Sequence, residues 1–178
     1  MSRYTKTAMS LHWLTALMIV SAFAMGLIMT DIPGFSPTKL KYFAWHKWIG
    51  VTVFAIAVLR VLWRATHKPP PRLASIPQLQ HLAAEAMHIL LYVLIFAVPI
   101  TGYLYTLSAG IPVVYLKLFT LPVFMGPNPE LKPLLQTLHY WLNMTMAGAV
   151  GLHALAALKH HFFDRDNTLK RMLPIGRM

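Results

Sequence analysis

There is no cysteine among the 178 residues. Disulfides, iron–sulfur clusters and thiolate metal sites are therefore excluded for this chain. Cysteine usage consequently says nothing about redox compartment, and any electron carrier here must rest on His or Met. Charge is scarce too: 12% of residues are Asp, Glu, Lys or Arg, and only five of those are acidic. With 57% hydrophobic residues and a mean hydropathy of +0.54, the composition is that of a membrane protein. A formal charge of +11 would suit a nucleic-acid binder. The basic residues gather instead at the ends of apolar segments, as topology signals do, and nucleic acid is set aside. Internal repeats and low-complexity segments are lacking.

What is there is a set of four apolar stretches, each long enough to cross a bilayer. They predict helices over about 8–29, 43–64, 82–107 and 133–163. The first, preceded by Arg3 and Lys6, mimics a signal peptide with Ala22-Phe23-Ala24 as its cleavage site. The apolar run continues past that site and holds His12, so a retained helix is favoured. Asp31 to Lys41 reads as a loop, and Lys68 to Arg72 (KPPPR) breaks the chain before the third span. The apolar stretch from Ile111 to Phe124 is too short and Pro-interrupted to span, and reads as an interfacial segment. Orientation follows from the basic residues. Arg3, Lys6, Arg60, Arg64, Lys68, Arg72, Lys159, Arg165, Lys170, Arg171 and Arg177 fall on one side; Lys39, Lys41, Lys47, Lys117 and Lys132 fall on the other. Eleven against five puts both termini in the cytoplasm. The expected fold is all-α: an integral membrane four-helix bundle, one domain over residues 1–178.

The histidines carry the chemistry. The fourth stretch alone holds His139, His153, His160 and His161, although ionisable groups in a membrane are costly and usually mark function. His139 and His153 are 14 residues apart, nearly four turns, so they leave one helix face about 21 Å apart. Small residues (Ala147, Gly148, Ala149, Gly151) lie between them, where a flat cofactor would need room. Satisfied core histidines on a small-residue packing face are the plainer reading. Depth pairs the rings across antiparallel helices. His46 and His139 both begin outward-starting helices, whereas His12 and His153 share the inner depth. Two His–metal–His bridges result. Haem suits them better than zinc, because no thiolate or carboxylate completes a four-ligand site. His88 rivals His12 for the inner position, although Glu85 one turn away would make it a polar partner instead. Arg60, 14 residues after His46, suits a haem propionate or snorkels to the cytoplasmic headgroups. Gly50, one turn after His46, leaves space beside that ring. The eleven methionines are packing residues first.

These residues resemble the bacterial cytochrome b561 family over nearly the whole chain. The resemblance is carried by Ser10-Leu11-His12-Trp13, by His46 with Gly50 ahead of Arg60 and Arg64, and by His88, Leu91-Tyr92, Pro99 and Gly102. Most specific is GLHALAALKHHFFDRDNTLKRMLP, from Gly151 to Pro174. The resemblance implies two haem b groups in the bacterial cytoplasmic membrane, with His12, His46, His139 and His153 at the positions of the family's axial ligands. It also implies electron exchange with quinone, and suggests superoxide as an outer donor with ubiquinone accepting. His160, on the stripe of His139 and His153 about two turns further, is then the candidate quinone residue; its alternative is a surface histidine. Two other classes compete. One is a haem-bearing membrane anchor for a separate dehydrogenase, and the other a His-based metal transporter without haem.

Overall fold

A computed structural model describes residues 3–71, 73 and 76–173. Among the orientation signals, Arg72 and Arg177 lie outside the described residues. Four long helices account for most of the chain: α1 (Lys6–Asp31), α2 (Pro37–Thr66), α3 (Gln78–Ser108) and α4 (Leu131–Phe162). Between α3 and α4 lies a short hairpin, β1 (Val114–Tyr115) with β2 (Phe119–Thr120).

The helix starts have local causes. Thr5 caps α1 by accepting from the Ala8 N–H, and Ser36 caps α2 by accepting from the Lys39 N–H. Pro37 follows at the first helical position, where its missing N–H costs nothing. This pair starts α2 about a turn and a half before the apolar run, so the connection between α1 and α2 is shorter than hydropathy alone suggests. The segment from Ile111 to Phe124 is not a helix; it folds into the hairpin. Leu116 and Lys117 turn the chain with φ of +49° and +62°, and Trp48 Nε1–H donates to Val114 O across 2.7 Å. The hairpin therefore covers the His46 end of α2.

Helix α1 packs along α2 and α3 along α4, and the two pairs meet mainly through α2 and α3. A core of Val53, Ala57, Leu94, Ile95, Met146 and Ala149 fills the middle depth. Very little else is covered: 6% of the most apolar window of α1 and 17% of that of α2 are buried within the protein. Leu17, Val20, Leu62, Ile89, Val93 and Leu155 are all more than half exposed. So much outward apolar surface needs lipid around it. All four helices qualify as membrane spans by length and hydropathy.

After α4 the chain folds back across the opposite end. The Tyr4 N–H donates to Arg171 O, Trp13 Nε1–H to Met172 O, and the buried Arg171 to Pro71 O. This stretch joins the start of α1 to the connection between α2 and α3.

Candidate cofactor site

Helix α2 begins where α1 ends, so His46, two and a half turns in, faces Ala22 and Gly26 of α1. Its Nδ1 donates to Ala22 O across 2.9 Å. On α4, His139 lies two turns from the helix start and its Nδ1 donates to Val98 O at 3.0 Å, with Thr101 Oγ1 at 3.2 Å. Thr101 Oγ1 itself donates to Ala97 O, so toward the ring it accepts. Both imidazoles therefore carry their proton on Nδ1, and both leave Nε2 as a free lone pair. A backbone carbonyl on the second nitrogen is the usual way a metal-binding histidine is oriented. The two rings stand perpendicular to each other, at 89°, with centroids 6.3 Å apart. Two metal–nitrogen bonds of roughly 2 Å, plus half a ring on each side, also come to roughly 6 Å. This pair fits an iron between its rings.

Each ring of this pair also lies against a glycine. A Cβ on Gly102 would come within 2.7 Å of His139 Cε1, and one on Gly26 within 3.4 Å of His46 Cε1. Gly102 has to stay bare for His139 to sit where it does. Added Cβ atoms at Gly50, Gly148 and Gly151 would meet no protein atom, whereas Ala149 is buried in the mid-depth core. Of the small residues on α4, then, only part of the run borders open space.

At the other depth three rings gather. His12 and His153 lie 6.2 Å apart between centroids, and His88 lies closer to His153, at 5.5 Å. Arg60 reaches this cluster rather than the headgroups. Its Nη1 lies 2.8 Å from His12 Nδ1, and its Nε donates to the Tyr92 hydroxyl at 3.2 Å. A guanidinium only donates, so His12 accepts through Nδ1 and its proton sits on Nε2. His12 thus differs from His46 and His139 in its tautomer. A cavity of about 80 Å³ opens beside it, lined among others by Arg3, Arg60, Arg64, Lys68, His88 and Tyr92. Such a basic wall suits carboxylates.

His160 stands near the end of α4 and makes contacts that spacing alone does not suggest. Its Nδ1 donates to Asp166 at 2.6 Å and lies 3.1 Å from Asp164. It lines a cavity of about 280 Å³ with Ile76, Pro77, Gln80 and the two aspartates. Burial alone would raise the Asp166 carboxyl. Hydrogen bonds from Thr168 and from the His160 imidazole outweigh that and hold it below the usual carboxylate range. Sequence reasoning missed Thr101, the Asp164–Asp166 pair and the contact of Gly26 with His46. A Thr beside a helix glycine and two acids in a chain with five were the available signals.

A lipid-covered four-helix bundle with imidazoles gathered at two depths has the build of a membrane cytochrome. The chain belongs to the prokaryotic cytochrome b561 family, whose model matches residues 3–174. It is similar to cytochrome b561 homolog 2 of Escherichia coli, 37% identical over 96% of this chain and 91% of the relative. Cytochrome b561 homolog 1 of the same organism is 33% identical over 98% of each chain. A Yersinia pestis protein named "Probable superoxide oxidase CybB" is 29% identical over 98% of each. The protein is accordingly a multi-pass electron carrier of the bacterial inner membrane, of a family that binds haem b.

Proposed function

We propose that the chain holds two haem b groups, His46 with His139 and His12 with His153 as axial ligands. We further propose that it moves electrons from superoxide on the outer side to ubiquinone near the cytoplasmic end. The observation that carries this reading is the presence of an imidazole pair at each of two depths, both about 6 Å between centroids. When bound, haem b would supply reversible one-electron chemistry, each group held by one of these imidazole pairs.

The chain's own residues do the rest. Ala22 O and Val98 O hold the Nδ1 side of the two rings and leave Nε2 available as the ligand atom. Arg60 and its basic neighbours suit the propionates of the inner group. Releasing Arg60 to that task also frees His12 Nδ1 to take the ring proton, so that Nε2 can ligate. The outer lysines attract an anionic donor. His160 borders a cavity near the small end of ligand-site volumes, roughly 300 Å³ and upward. There it hydrogen-bonds a quinone carbonyl and passes a proton. Balance requires two superoxide ions for each quinone: both are oxidised to dioxygen, and the quinone gains two electrons and two protons. Both termini lie on the cytoplasmic side in this reading.

The test is a haem-per-chain determination together with superoxide-driven ubiquinone reduction by the purified chain in liposomes. We expect two haems and activity without a further subunit. A chain that reduces quinone only with a partner dehydrogenase would be an anchor instead, and one without a Soret band would not be a cytochrome. Ligand pairing has its own check. His46→Ala and His139→Ala should remove the same haem, and His12→Ala and His153→Ala the other. Loss of the inner haem in His88→Ala, with His12→Ala retaining it, would move the ligand role to His88, whose ring is the nearer to His153.

A further inference from the structure

The chain has five acidic residues, and two of them converge on one imidazole. His160 Nδ1, an Asp164 oxygen and an Asp166 oxygen all lie within 4.8 Å of one another, the one such group among the described residues. Arg165 brings this about. It takes the left-handed conformation at φ +52°, which turns both neighbouring carboxylates back toward the end of α4. The three side chains line a single cavity of about 280 Å³ on their open side.

We propose that His160, Asp164 and Asp166 form a binding site for a divalent transition-metal cation of the zinc class. Two carboxylates and one neutral imidazole match the charge of such an ion. One nitrogen and two oxygens match the three-ligand set of an open zinc site, whose remaining position is filled by water. The adjoining cavity has room for that water. The imidazole selects against magnesium and calcium, which take oxygen ligands. Little has to be undone for the ion to enter. The Lys159–Asp164 pair is half exposed and so contributes little. The proton on His160 Nδ1 moves to Nε2, leaving the Nδ1 lone pair for the metal. Asp166 stays oriented by the Thr168 N–H on its other oxygen, at 2.8 Å.

A bound ion would take the imidazole from the proton transfer proposed above, so metal and quinone turnover would compete at His160; the site itself rests on these three residues, and the experiment reads metal uptake and not turnover. ZnCl2 is titrated calorimetrically into the haem-loaded, detergent-solubilised chain, with MgCl2 in parallel. Parent protein, Asp166→Asn and His160→Ala are compared, and each variant's Soret spectrum checks that the bundle is intact. We expect one saturable zinc per chain, at least tenfold weaker in both variants, with no magnesium uptake at the same concentrations. Asp166→Asn is nearly isosteric, so it isolates the lost charge. Zinc uptake unchanged in both variants would assign it to other histidines and overturn the proposal. So would absence of saturable uptake in the parent, which would leave the cluster an ion pair only.

Discussion

At Gly102 one methyl group decides whether His139 keeps its place. An added Cβ would sit 2.7 Å from the ring, closer than real Cβ contacts come, and would push the imidazole off its Val98 bond. Gly102→Ala should therefore cost about 1–3 kcal/mol by overpacking, against a gain of at most about 1 kcal/mol from helix propensity. Gly148→Ala is the control. It lies nine residues after His139, on the opposite face of α4, and its Cβ meets nothing. We expect Gly102→Ala to lower the content of the outer haem and the thermal midpoint, and Gly148→Ala to do neither. Equal haem content in the two variants would mean that His139 does not need the bare backbone of α3. Residue depth was legible beforehand, because 3.6-residue spacing and alternating helix direction put His46 and His139 at one level. The glycine partner was not. Gly26 touches His46 on the next helix, and the periodicity of α1 cannot say what its neighbour presents.

Among the elements, the four helices were readable from apolar runs, but their ends and connections less so. Ser36 and Pro37 signal a helix start in polar sequence, which a hydropathy reading passes over. The hairpin was hidden because Leu116 and Lys117 hold the left-handed turn positions where Asn and Gly are the usual markers. The turn after α4 was hidden for the same reason at Arg165. That turn carries a pH dependence. The folded Asp166 carboxyl sits below its unfolded value of about 3.9. Its stabilising contribution is then complete above about pH 4 and is lost as pH falls through the lower folded value. Thermal midpoints of parent and Asp166→Asn should thus differ at pH 6 and converge as pH falls through the lowered folded value. A constant difference across that range would mean that ionisation of Asp166 does not hold the turn.

For the whole molecule, the charge distribution is the property to explain. The larger number of basic residues at the end that holds the chain termini is what the proposed orientation requires. The other end, outer in the proposed orientation, holds Lys39, Lys41, Lys47, Lys117 and Lys132 against Asp31 and Glu130, a net +3 that topology leaves unexplained. Two of these lysines are held in place: Lys39 Nζ donates to Ile32 O at 2.7 Å, and Lys41 lies 4.6 Å over the Trp45 ring. Lys47 directly follows His46 in the chain. Fixed positive charge around the outer imidazole pair should raise the local concentration of a small anion and speed encounter, by roughly tenfold or more at low salt. Superoxide needs no shaped pocket, only approach. With a Debye length of about 8 Å at physiological ionic strength, the effect should fade as salt rises. The alternative is that these lysines serve lipid headgroups alone. Replacing Lys39, Lys41 and Lys47 by Gln, with haem content verified as unchanged, separates the two. Superoxide-driven reduction should slow several-fold in 10 mM salt, and the gap from the parent should close by 1 M, where the Debye length is about 3 Å. A rate indifferent to both salt and charge removal would sink steering while leaving the haem assignment as it stands.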